Sequence, residues 1–294
     1  MPRRCASTRA TPTSLPPPVG RLGPRVGRLG IVLAVLSVAL TGAVLCAAQP
    51  TEPTARSAVY PKGRDEVEPL IRENPLAFLQ MARDWAHAHV VDYTCHFQKL
   101  ERIGGELRPL EKMCMKFRDE PFSVYLKWTS EPKKGQEVIF VRGRFKNEAQ
   151  VHPSGILGLI FRRVGIDPEG KEARKHSRKP MTMAGMQNMI GLITGQCEEA
   201  HDRGDLTLTY EGIRHDGGRA SYVLKRVLPK GKGYPCESLS IFVDCEYLVC
   251  VRTDAYNWDG DLISHYFYTH LTMNPGLTDR DFDPDNPDYG YRLF

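Results

Sequence analysis

The stretch from Tyr93 to Trp128, YTCHFQKLERIGGELRPLEKMCMKFRDEPFSVYLKW, constrains this chain more than any other, because apolar and polar residues alternate through it between turn signals. The alternation predicts three successive antiparallel strands, at 93–103, 107–118 and 122–128. A three-residue loop, Gly104-Gly105-Glu106, sets Phe97 opposite Met113, Cys95 opposite Met115 and Tyr93 opposite Phe117, while Lys99 meets Glu111. A second loop at Asp119-Glu120 sets Phe122, Val124 and Leu126 opposite Phe117, Met115 and Met113. One face is then apolar across three strands, and the other carries His96, Gln98, Lys112, Lys116, Arg118, Tyr125 and Lys127. A slip of one residue would oppose Phe97 to Lys112 and break the apolar face, so the pattern selects the register. Such a face must be covered by something.

The N-terminus is of another kind. Residues 1–30 carry six arginines and no acid, and Ile31–Ala48 is an uncharged apolar run with small residues at Cys46 and Ala48. This order predicts a signal peptide over 1–48 and an exported, periplasmic or cell-envelope location. An uncleaved signal anchor is the alternative, since 18 apolar residues are near the lower limit for a bilayer span. Lys plus Arg number 40 against 35 Asp plus Glu; without the six N-terminal arginines the count is 34 against 35, so the basic balance belongs to the targeting segment and argues against nucleic acid as a partner. Residues 49–73, rich in Pro, Thr, Ser and charge, read as a flexible linker. Asn74 as N-cap and Pro75 in the first turn open a helix over 75–89, with Leu76, Leu79, Ala82, Ala86 and His89 near one side.

Further strands are expected at 137–141, 147–152, 206–213, 220–228, 239–243, 247–256 and 262–271. Between the two sets lies a helical insertion at about 155–203, in which Thr182 caps a helix from Met183 to Ala200 with an apolar stripe of Met183, Met186, Ile190, Ile193 and Cys197. Ten antiparallel strands exceed a flat sheet with one covered face. The expected fold is therefore mainly β with helices (α+β): a curled antiparallel sheet or incomplete β-barrel with a helical plug, forming a single domain over 74–294 that ends in a Pro- and Asp-rich tail at 274–294.

Three segments, Tyr93–Trp128, SRKPMTMAGMQNMI and YFYTHLTMNPGLTDRDFDPDNPDYGY, resemble an uncharacterised family of exported bacterial proteins, domain of unknown function 1571. More distantly, the family resembles the LolA/LolB-like lipoprotein carriers, whose half-barrel shelters acyl chains under a helical lid. That resemblance implies a LolA-like fold, not a function.

No catalytic residue is expected. Cys95 and His96 are strand neighbours pointing to opposite faces, His265 falls with Phe267, and His270 with Tyr266 and Tyr268, so these histidines read as structural. The acids Asp279, Asp281, Asp283 and Asp285 are spaced like a calcium loop, yet Pro284 stands at the turn glycine and Gly290 at the closing glutamate, so no metal site and no cofactor are expected; the tail is expected to lie over the barrel rim. Outside the targeting segment six cysteines remain. The register keeps Cys95 from Cys114, while Cys236 with Cys245 or Cys250 stays open.

Two functional readings follow. One is a non-enzymatic envelope protein holding a lipid or lipoprotein acyl chain against Tyr93, Phe97, Met113, Met115, Phe117, Phe122, Val124, Leu126, Met183, Met186, Ile190 and Ile193, with a membrane surface as further candidate partner. The other is a scaffold or interaction protein whose core is filled by its own side chains. The oligomeric state is not encoded in any of these patterns.

Overall fold

The computed structural model describes residues 64–291; the expected signal segment 1–48 and residues 49–63 of the expected linker lie outside the described residues. The described chain runs as helices α1 (Arg64–Glu73) and α2 (Pro75–His89), then strands β1 (Asp92–Ile103), β2 (Glu106–Leu107), β3 (Glu111–Arg118), β4 (Ser123–Trp128), β5 (Glu137–Val141) and β6 (Ala149–His152). Next come α3 (Gly155–Ile160), β7 (Val164–Ile166), α4 (Lys171–Arg174) and α5 (Met186–Asp202). The chain closes with β8 (Thr207–Asp216), β9 (Arg219–Val227), β10 (Ser238–Asp244), β11 (Cys250–Tyr256) and β12 (Leu262–Met273).

These strands form one curled antiparallel sheet in the order β7-β6-β5-β4-β3-β1-β12-β11-β10-β9-β8, with β2 as a stub on β1. It is two meanders joined down the middle where β1 pairs with β12. Its edges, β7 and β8, do not meet, so the barrel is incomplete, as the alternation implied. Where ten strands were expected the sheet has 12; the additions are the stub β2 and the three-residue β7.

The β1–β3 register is the expected one: Phe97 opposes Met113, Cys95 opposes Met115, Tyr93 opposes Phe117 and Lys99 opposes Glu111. The loop that delivers it differs. Ile103 pairs with Glu106, so the turn holds only Gly104-Gly105, both at positive φ as a tight hairpin needs. The extra residue is absorbed around Pro109, which has no N–H for the ladder. In the next hairpin the expected pairing is corrected by two residues: Phe117 opposes Val124, Met115 opposes Leu126 and Met113 opposes Trp128. Pro121 cannot take the paired position that a two-residue loop requires, so the turn widens to 119–122. A shift of two preserves the faces, because the side-chain period is two.

The helices cover one face of the sheet. The Asn74 side chain caps α2 by accepting from Ala77 N at 3.0 Å, and α2 buries Phe78, Leu79, Ala82 and Ala86, with Leu76 partly buried. His89, expected on this side, is exposed and stacks on Trp85. Helix α5 buries Met186, Met189, Ile190, Ile193 and Cys197. It begins at Met186 rather than Met183, with Gly185 instead of Thr182 at its cap; Met181–Met183 is a separate 3-10 turn. The two helices are tied by Thr194 Oγ1 donating to Leu79 O at 3.3 Å and by Gln80 and Arg83 on Glu198 at 2.9 Å. Residues 64–73, assigned above to the linker, are α1 instead: Val67 and Ile71 are wholly buried, so the folded body starts at least ten residues before Asn74.

The opposite face carries a smaller core of Tyr125, Ile139, Val141, Phe282, Tyr289 and Tyr291. Here the C-terminal tail packs across the sheet rather than over a rim. Tyr289 stacks on Tyr125 at 4.2 Å, Lys116 Nζ pairs with Asp281 at 2.7 Å, and Tyr291 donates to Gln150 O at 2.8 Å.

Candidate functional site

Along β1 the side chains facing the helices are Tyr93, Cys95, Phe97, Lys99 and Glu101, and the pairings carry that face outward in both directions. At the Tyr93 end the face is filled. Tyr93 and Phe117 stack at 4.9 Å, Phe122 packs edge-on to Phe117 at 5.6 Å, and Gly185 lets the entry to α5 pass directly over the Phe117 ring. The Tyr93 hydroxyl accepts from Met186 N at 3.1 Å, satisfying one of the N–H groups that open α5.

Four residues further along β1, from Phe97 on, the sheet and the chain around α5 stand apart, and a cavity of about 410 Å³ remains. Its floor is Phe97, Met113, Met115, Leu126, Trp128, Val138, Val151, Tyr266 and Tyr268; its wall is Met181, Met183, Ala184, Met189 and Leu192, with Ile166 at the end of β7 and Pro168 and Ala173 from the chain after it. Phe97 stacks on Tyr268 at 4.6 Å, which fixes two of the floor rings. Of the twelve expected ligand-binding residues, Phe97, Met113, Met115, Leu126 and Met183 line the cavity. The other seven, Tyr93, Phe117, Phe122, Val124, Met186, Ile190 and Ile193, are packed core. They share the face but lie where α2 and α5 cover it.

The far end of the cavity is ionic. Lys99 Nζ lies 3.5 Å from Glu101 and 3.4 Å from Glu111 and donates to His176 O at 3.3 Å. Glu111 also accepts from Lys133 Nζ at 2.6 Å and Trp128 Nε1 at 3.0 Å. Burial acts to raise the Glu111 pKa, but Lys99 and Lys133 outweigh it and hold the carboxyl below its usual range. The Tyr266 hydroxyl and Arg178 N both donate to Glu101. Lys179 also faces the cavity, and there burial pushes the ammonium pKa down against the pull of Glu101. The site is thus an apolar trough closed at one end by fixed charges.

Nothing in this arrangement pairs a nucleophile with a base. Cys95 is buried and its thiol pKa is pushed far up by desolvation. His265 Nδ1 donates to Asp254 at 2.5 Å on the opposite face, beside Arg252. His270 is not with Tyr266 and Tyr268 as expected: a bulge between Thr94 and His96 in the β1–β12 pairing turns it to the opposite face, where it lies 4.5 Å from His96. The tail acids are engaged as fasteners, Asp279 with Arg118 at 2.9 Å and Asp281 with Lys116; no cluster suited to a metal ion occurs among the described residues. Cys95 and Cys114 point to opposite faces, and Cys236 is a free thiol 3.1 Å from Arg226 Nη2.

Sequence reasoning missed Val138, Val151, Tyr266, Tyr268 and Met189. The signal was present: side-chain alternation in β5, β6 and β12 puts these strand residues on the Phe97 face, and Met189 follows Met186 by three on α5.

A family profile described as "Protein of unknown function (DUF1571)" matches residues 90–291. No curated protein matches the chain. Among solved structures it is similar to MucB, at 13% identity with a TM-score of 0.44 over 71% of this chain and 62% of that one, so it spans less than two thirds of MucB. It is also similar to the Mycobacterium tuberculosis lipoprotein LppX, at 12% identity and TM-score 0.42 over 71% of this chain and 100% of that one. A LolA superfamily protein from Nitrosomonas europaea, NE2245, matches at 10% identity and TM-score 0.33 over 70% and 96%. At these identities the likeness is one of fold.

Proposed function

We propose, for a chain that belongs to the DUF1571 family of proteins of unknown function, that it is a non-enzymatic cell-envelope protein which holds the acyl chain of a lipid or lipoprotein in this trough. The observation that carries the reading is the cavity itself. Its 410 Å³ fall within the range of small-molecule sites, roughly 300–1,000 Å³, and its floor is rings, thioethers and branched aliphatic groups. An acyl chain gains about 0.8 kcal/mol per buried CH₂, so roughly ten methylenes supply about 8 kcal/mol before association costs, which sets micromolar affinity as the upper bound. The polar head of the ligand lies toward Lys99, Glu101, Glu111 and Lys179, where charge is already fixed.

The scaffold reading requires a face filled by its own side chains. That description suits the Tyr93 end and not the Phe97 end, so the acyl-chain reading is the one retained.

Met115 decides between them, because its side chain is both buried and on the cavity floor. Met115→Trp places an indole in the space a ligand would take. The expected result is loss of fluorescent fatty-acid displacement with little loss of stability. A filled core would instead lose about 1–3 kcal/mol by overpacking. The reading is abandoned if the wild-type protein binds no acyl probe and the variant is strongly destabilised.

A further inference from the structure

Helix α3 reverses the usual order of a helix on a soluble domain. Its smallest residue faces the protein: a Cβ at Gly158 would lie 2.2 Å from Pro153 O and 3.2 Å from the His152 ring, so only glycine permits this approach. With the glycine side inward, the large residues are turned out. Ile156, Leu157, Leu159, Ile160 and Phe161 are 76, 58, 70, 64 and 53% exposed. Five large apolar side chains exposed within six successive residues are not the scattered surface hydrophobics of an ordinary domain.

The chemistry around the patch says what covers it. From Gly155 to Lys179 the chain holds seven Lys or Arg against three Asp or Glu. Arg163 and Arg174 hydrogen-bond neutral oxygens, Gln150 Oε1 at 2.7 Å and Glu169 O at 2.9 Å, contacts that leave their charge uncancelled. Exposed apolar side chains followed directly by the half-buried Arg162 and the exposed Arg163 match the boundary of an anionic bilayer, where the former enter the acyl layer and the cations meet the headgroups. A protein partner or a second copy would supply the apolar half of this match but not, of itself, the anionic one. The patch also leads into the cavity wall, since Ile166, Pro168 and Ala173 follow within the same connection.

We propose that α3 and Phe161 are a membrane-contacting surface of this domain, inserting Ile156, Leu157, Leu159, Ile160 and Phe161 into an anionic bilayer, with Arg162 and Arg163 at its headgroups. This does not require the cavity to hold a ligand.

The test is hydrogen exchange of the full chain, read on the peptide covering 155–163, because a local readout separates this contact from any membrane affinity of the N-terminal segment. Phosphatidylglycerol vesicles should protect that peptide, and phosphatidylcholine vesicles should protect it less. Ile156→Asp with Leu159→Asp should lower the apparent vesicle affinity of the segment by at least about tenfold. Because both side chains are exposed, that variant should keep its thermal midpoint, and Arg163→Glu provides a second variant that leaves the apolar patch intact. The proposal is overturned if the chain associates with vesicles while 155–163 stays unprotected. It is equally overturned if protection arises without lipid and grows with protein concentration, which would assign the patch to a second copy.

Discussion

Gly185→Ala tests the account of how α5 is seated on the sheet. Gly185 has φ +112° and ψ 146°, a region close to glycine-only, and a Cβ there would stand 2.5 Å from Phe117 Cε2 and 2.9 Å from Cζ. The ring cannot swing away, because Phe117 is wholly buried, stacked on Tyr93 and braced by Phe122. Backbone strain costs about 1–3 kcal/mol, and overpacking about another 1–3 kcal/mol. The expected loss is therefore about 2–6 kcal/mol in urea unfolding, with the slope unchanged. Phe117→Leu in the same chain separates the two parts: it should recover the overpacking share in a double-mutant cycle and leave the strain. A loss under about 1 kcal/mol for Gly185→Ala would refute the close approach of backbone to ring, and with it the claim that this end of the face is filled.

Two further outcomes follow from single contacts. Tyr93→Phe removes the acceptor of the Met186 N–H inside the core, so it should cost about 1–3 kcal/mol in the same urea assay; a neutral substitution would show that the helix start finds another partner. The Asp281 carboxyl is pushed up by burial, yet hydrogen bonds from Lys116 and Thr278 hold it below its ordinary value, so its stabilising contribution is full above the unfolded carboxylate pKa and fades as pH falls through the folded one. Below about pH 4 the tail at 279–291 should lose hydrogen-exchange protection before the β1–β12 pairing does, and a tail that loosens only together with the sheet would contradict this.

The parts of the fold that were legible in the amino-acid order are those in which side-chain alternation and register reinforce each other. Tyr93, Cys95 and Phe97 could be matched to their β3 partners because one slip would have placed Lys112 in the core. The hairpin at 119–122 was offset by two because both pairings keep the same face, and only the missing N–H of Pro121 distinguishes them. Helix α1 was hidden by Pro69 and by charges around Val67 and Ile71, which gave ten residues the composition of a linker. The candidate site was half legible for a different reason. Periodicity tells which face a residue is on, while the boundary between filled and open depends on where α2 and α5 stop, a tertiary fact that Val124 and Leu126 cannot report from their own strand.

The central seam has a kinetic consequence. Tyr93 pairs with Met273 in the middle of the sheet, whereas β7 and β8, separated by the long connection that holds α4 and α5, are its two borders. Each meander can zip through neighbouring hairpins, but the seam must close a loop of nearly the whole domain, so it should be the slow step of assembly. The stretch from Asp167 to Ala184, which leaves the β7 border ahead of α5 and carries Pro168, Ala173, Met181 and Met183 of the cavity wall, contributes no rung to the ladder. Its length can change, or its path shift, without unzipping a single strand pair, so this part of the wall is free to vary while α5 is held by its packing and the floor by register.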